Sequence, residues 1–163
     1  MSPVANYAEQ VAAVAASGSE GPAWLPALRQ RAFDRFHALG FPTTRNEDWH
    51  FTSVTPIAER RFKAIKPGPS TVTTADLTPW LIDPSWHRLV FVNGRFEPGL
   101  SQFAGLPADV HVSTLSDALR ERPEWVAAHL GSLAAFDEAA FTALNTAFMQ
   151  DGVVVHVTVE ETV

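Results

Sequence analysis

Apolar positions recur at three- and four-residue steps through the opening stretch of the chain. Val4, Tyr7, Val11 and Val14 predict an amphipathic helix from about Pro3 to Ala16, with Ser2 available as its cap. The run Ser17-Gly18-Ser19-Glu20-Gly21-Pro22 ends it. From about Ala23 to Leu39 a second stripe follows: Trp24, Leu25, Leu28, Ala32, Phe33, Phe36 and Leu39 form the apolar side, and Arg29, Arg31, Asp34 and Arg35 fall on the polar side. Pro26 fits a first helical turn, and Gly40 stands where a helix end favours positive φ.

Pro42 forbids continuation of that helix, because it lacks an amide donor and holds Phe41 extended. Thr43, Thr44 or Asn46 is placed to cap a short turn at Glu47-Asp48, whose carboxylates would meet the positive end of the turn. A further helical turn is expected over Ile57 to Phe62, then a connector, Lys63-Ala64-Ile65-Lys66-Pro67-Gly68-Pro69-Ser70. Thr74 to Leu77 starts a short helix holding Leu77, Trp80 and Leu81. Arg88 to Val92 reads as a strand, and Asn93-Gly94 as the tight hairpin turn returning it into Arg95-Phe96, which Pro98-Gly99 cuts short.

Asp109 to Val112 is a second short strand. It runs into a helix capped within Thr114-Leu115-Ser116-Asp117 and carrying Leu115, Leu119 and Arg122, which Pro123 interrupts. Glu124 to Leu130 resumes as helix with Trp125 and Leu130 inward, closing at Gly131. Ala135 to Gln150 is the last helix, stopped by Asp151-Gly152, and Val153 to Val159 is a strand with alternate valines on one face. That strand needs a partner, either the 88 to 96 hairpin or a following domain. The pattern gives an α+β fold in one domain, 1–163: a helical region over 1–62, a connector over 63–73, a mixed α/β region over 74–152 and a terminal strand over 153–159.

The 163 residues suffice for one core, and 46% hydrophobic content with eleven Phe and five Trp is a globular composition. A net charge of −6, with basic residues scattered apart from Arg60-Arg61-Phe62-Lys63, argues against nucleic acid as partner. The absence of cysteine excludes disulfides and thiolate ligands within this sequence. The six histidines form no HxH or HxxxH pair, so a metal site would have to be assembled by folding. With neither a signal-peptide pattern nor an apolar run of membrane-spanning length, a cytoplasmic setting without membrane association is expected.

Glu47, Asp48 and His50 are the most enzyme-like cluster, since two carboxylates and an imidazole can divide acid and base roles. Adjacent residues rarely aim at one point, however, and helix-start carboxylates have a structural explanation. Arg45 is placed to pair with Glu47 or Asp48 and lock the turn, or to take a partner's carboxylate. Trp49 and Phe51 are expected to plug the turn into the core. There is no glycine-rich phosphate loop and no GxSxG elbow. Gly40 to Thr52 thus reads as a rigid joint, and no catalytic residue is assigned.

Two segments carry a resemblance. Trp24-Leu25-x-x-Leu28-Arg29, Arg35-Phe36 and Gly40-Phe41-Pro42-Thr43-x-Arg45-x-Glu47-Asp48-Trp49-x-Phe51-Thr52 resemble the N-terminal region of the SufD and SufB family of iron–sulfur cluster assembly proteins, on the SufD side. Phe141-x-Ala143-Leu144-Asn145-x-Ala147-Phe148-x-x-Asp151-Gly152-Val153 is similar to the passage that leads from that region into the family's central β-helix. His50 and Phe51 stand where Lys and Tyr are common in the family.

The resemblance implies a scaffold region without catalysis of its own, ending in the first strand of a β-helix that lies outside this sequence. It implies SufB-like and SufC-like subunits as partners, the latter using ATP, and no cofactor held by this chain itself. Its motif residues are Gly40, Pro42, Arg45, Glu47, Asp48, Trp49, Asn145, Asp151 and Gly152. The other reading is a protein-interaction domain unrelated to clusters, and a third is a small hydrolase built on Glu47, Asp48 and His50.

Overall fold

A computed structural model describes residues 4–17, 21–63, 68 and 70–158. The expected Ser2 cap, the middle of the 17–22 stop, several connector residues and Val159 lie outside the described residues. The fold is α+β, and the chain divides into two compact units. The first takes in Met1–Ala64 and Arg122–Gln150, and the second Ile65–Glu121 and Asp151–Val163. Helices of the later chain therefore join the opening helices, a grouping that linear reading does not supply.

In the first unit, α1 (Ala5–Ser17), α2 (Trp24–Leu39) and α7 (Ala140–Phe148) build the core. The α1 segment supplies Val4, Tyr7 and Val11, α2 supplies Ala32, Phe33 and Phe36, and α7 supplies Ala143 and Ala147. Ala32, Ala143 and Ala147 are fully buried. With only methyl groups between them, the backbones of α2 and α7 approach closely, and this is the most extensive helix contact in the unit. Phe36 is 0% exposed and meets Tyr7 edge-on at 6.0 Å and Phe41 at 5.2 Å between ring centroids.

Arg29 does not lie on the polar side of α2 as its position in the stripe suggests. It is buried, and Nε and Nη2 donate to the Met149 carbonyl at 3.0 and 2.7 Å. That carbonyl follows the last turn of α7, so the guanidinium ties α2 to the end of α7. Burial pushes the Arg29 pKa down.

The helix expected from Ala135 begins only at Ala140, because Ala139 is extended and the Asp137 carbonyl accepts a hydrogen bond from Arg35 Nε. α3 covers Thr55–Ala58 instead of 57–62. α6 (Pro123–His129) starts on its proline, with Arg122 preceding it over the Trp125 ring. Arg122 thus belongs with α6, and the buried residue of α6 is Val126, Trp125 being half-buried.

The second unit opens with α4 (Thr74–Leu77), held by a reciprocal cap between Thr73 and Asp76. The Thr73 hydroxyl and amide hold the Asp76 carboxyl below the usual aspartate range, so this cap persists in mild acid. Trp80 ends the short 3₁₀ turn Thr78–Trp80 that follows and is 82% exposed.

β1 (Phe91–Val92) and β2 (Arg95–Phe96) form the expected hairpin, pairing Phe91 with Phe96 and Val92 with Arg95. Asn93 and Gly94 have φ of 53° and 78°, the two positive values that a type I′ turn requires. The strand is shorter than Arg88 to Val92, and Arg88 instead makes an isolated bridge to Gln102.

β3 (Val110–Thr114) leads into α5 (Leu115–Glu121), where Thr114 Oγ1 accepts the Asp117 amide at 3.0 Å and donates to its carboxylate at 2.7 Å. β4 (Val153–Val157) pairs antiparallel with β3, not with the hairpin. Asp151, just before β4, accepts the Phe96 amide at 2.7 Å, which fastens β2 to the start of that sheet. Gly152 has no positive φ and does not end α7, which closes three residues earlier on an extended Met149. Its carbonyl accepts the Leu115 amide at 2.9 Å, one rung beyond β3 and β4.

Candidate functional site

The Gly40 to Thr52 segment is built outward from the end of α2. The Gly40 amide donates to the Phe36 carbonyl at 2.8 Å with φ of 67°, so glycine closes the helix as its position predicts. Phe41 then turns inward, 5.9 Å from Phe141 and 6.0 Å from Tyr7 between ring centroids. Pro42 follows half-buried. Phe41, not Phe51, is the aromatic that anchors the turn: Phe51 is 96% exposed and meets the neighbouring His50 ring edge-on. Trp49 is half-buried, with its ring 5.2 Å from that of Phe141 on α7.

The expected Arg45 ion pair with Glu47 or Asp48 does not form; ion pairs are found elsewhere, from Arg120 to Asp117 and to Glu121. Asn46 locks the turn. Its Oδ1 accepts the Thr43 amide at 2.8 Å and lies 3.3 Å from the Thr43 hydroxyl, while its own amide donates to the Thr43 carbonyl at 2.9 Å. This neutral loop closes without the entropy cost of holding two long charged side chains. Asn46→Ala is expected to cost about 0.5–2 kcal/mol and Arg45→Ala less than about 0.5 kcal/mol, compared by urea titration. Equal losses for the two variants would return the lock to Arg45.

Glu47 and Asp48 are exposed in the 3₁₀ turn Glu47–Trp49. With Glu138 they line an open cleft of about 520 Å³ floored by Gly40, Pro42, Ala140 and Phe141. His50 does not line it, and its Nδ1 is paired with the Thr44 carbonyl at 3.2 Å. The structure thus brings the two carboxylates to one cleft and leaves the imidazole outside it. Among the described residues no group of three His, Cys, Asp or Glu is placed to hold a metal ion.

A second depression, about 440 Å³ and mainly apolar, lies across α1 and α7 between Tyr7, Ile57, Phe62, Leu144 and Phe148. Asn145 is exposed at its edge. In the second unit, Trp80, Ile82 and Trp86 are 82%, 86% and 58% exposed within seven residues of chain. The sequence pattern places Trp80 in a short helix with Leu77 and Leu81, and the short turns there leave no periodicity to show that it faces solvent.

Comparison with known proteins fits these surfaces into a family. Residues 4–163 match the model of the family described as SufBD protein N-terminal region. A protein of Synechocystis sp. described as an iron–sulfur cluster assembly SufBD family protein is 33% identical over 127 residues, covering 78% of this chain. The matched stretch spans 28% of that relative's length. No solved structure matches. No helix among the described residues is long and apolar enough to cross a membrane.

Proposed function

The chain belongs to the SufBD family, as its N-terminal region, and on that premise we propose that it is a docking and scaffold region in iron–sulfur cluster assembly, with no turnover of its own. The family match across residues 4–163 is the observation that carries this reading. The geometry supports it: the residues with chemical potential in the first unit sit in an open, solvated cleft, while large apolar side chains stand exposed in both units. The cluster is cargo handled by the assembly. The region is SufD-like, acts in the cytoplasm, and has SufB-like and SufC-like subunits as its partners.

Removing residues 4–158 in frame from the gene, in the organism that carries it, tests the role. The expected result is a fall in the activity of a host iron–sulfur enzyme such as aconitase, restored by the intact gene. Undiminished enzyme activity with the region deleted would remove cluster assembly from the account.

A further inference from the structure

The register of β3 and β4 sets His111 directly opposite His156. The Thr158 amide donates to the Asp109 carbonyl at 2.8 Å, and the Leu115 amide to that of Gly152 at 2.9 Å. Hydrogen-bonded and non-bonded pairs alternate along an antiparallel ladder, so His111 and His156 form a hydrogen-bonded pair, with Cα atoms about 5.5 Å apart. Their side chains leave the same face and their rings stack, with centroids 6.2 Å apart and planes 29° from parallel. Asp109, whose carbonyl accepts the Thr158 amide, precedes β3 and is exposed.

We propose that His111 and His156 form a two-imidazole site for a late first-row divalent transition ion, with zinc as the reference ion and water completing its shell. Two zinc–nitrogen bonds of about 2.0–2.1 Å in a tetrahedral-to-open arrangement put imidazole centroids about 5–6 Å apart, close to the spacing already present. The terminal torsion of a histidine side chain is soft, so the rings adjust to the ion by small turns and the strand register is kept. The ladder fixes both backbones in advance, so little ordering remains when the ion arrives. Imidazole donors suit zinc, copper and nickel. Neither the HxH nor the HxxxH spacing produces this pair; antiparallel pairing of positions 45 residues apart does.

The test is a titration of the 163-residue chain with zinc chloride, read by calorimetry and by the imidazole Cε1 proton resonances. The resonances of His111 and His156, assigned through the His111→Gln and His156→Gln variants, are expected to move together and saturate at one equivalent. Those of His37, His50, His87 and His129 stay in place. Either Gln variant is expected to weaken binding about tenfold or more, while His87→Gln leaves it unchanged. An unaltered far-ultraviolet spectrum shows that the variants still fold; a variant that loses it is replaced by His111→Asn or His156→Asn. Binding undiminished in folded variants at both positions, or no response from the His111 and His156 resonances, would overturn the site.

Discussion

Phe36→Ala is expected to destabilise the first unit by about 3–5 kcal/mol, the largest loss of any single truncation at its core. Phe36 is 0% exposed, the one large side chain buried completely among the described residues, and its ring joins α1, through Tyr7, to the turn after α2, through Phe41. Removing it opens a cavity between fixed helices, because Ala32, Ala143 and Ala147 are too small to move in and fill the space. Phe36→Leu keeps most of the apolar volume and is expected to cost about 1 kcal/mol. Urea titration followed by near-ultraviolet circular dichroism measures both. A loss below about 1 kcal/mol for Phe36→Ala would mean that α2 is not the central helix of this unit.

Arg29→Ala comes next, at about 2–4 kcal/mol. Arg29 is 6% exposed, and two of its donors satisfy the Met149 carbonyl at the end of α7. Truncation leaves that half-buried carbonyl without its charged donors and empties the space occupied by the side chain. The charge itself carries a cost in this setting: burial lowers the pKa, and Nη1 has no hydrogen-bond partner among the described residues. Arg29→Met keeps the stem volume and removes that cost, so it is expected to be milder than Arg29→Ala. If Met and Ala destabilise equally, the bond to Met149 outweighs both packing and desolvation.

These residues also show where sequence pattern succeeds and where it stops. The α2 stripe, the Gly40 helix end, the Asn93-Gly94 turn and the Thr114 cap are local devices, set by propensity and hydrogen bonds within a few residues, and each stands where the sequence places it. Arg29 defeats the pattern because a charged residue is assigned to the solvent unless its partner, 120 positions away, is known. Asn46 displaces Arg45 as the lock for a different reason: a short neutral side chain closes a turn more cheaply than a salt bridge does, and opposite charges in a row draw attention to the wrong group. The pairing of β4 with β3, and hence the facing histidines, depends on a register that only the folded sheet reveals.

The functional assignment has the same structure. Gly40 to Thr52 is distinctive in sequence because the segment carries a sharp turn, two anchoring aromatics and a cluster of charges, and it proves to be a joint fastened by Phe41, Asn46 and Trp49. Glu47 and Asp48 contribute an acidic rim to an open cleft, with His50 turned to the Thr44 carbonyl. In the second unit Trp80 and Ile82 stand exposed, and they are the apolar side chains on which the proposed docking can be tested.

Docking is therefore the claim to measure. Titrating the fluorescently labelled 163-residue chain with purified SufB-like and SufC-like subunits of the same organism, by anisotropy, should give saturable binding to at least one of them. The double variant Trp80→Ser, Ile82→Ser should weaken that binding about tenfold or more with its fold intact. No binding to either subunit, under conditions where a full-length SufBD protein binds both, would contradict the account.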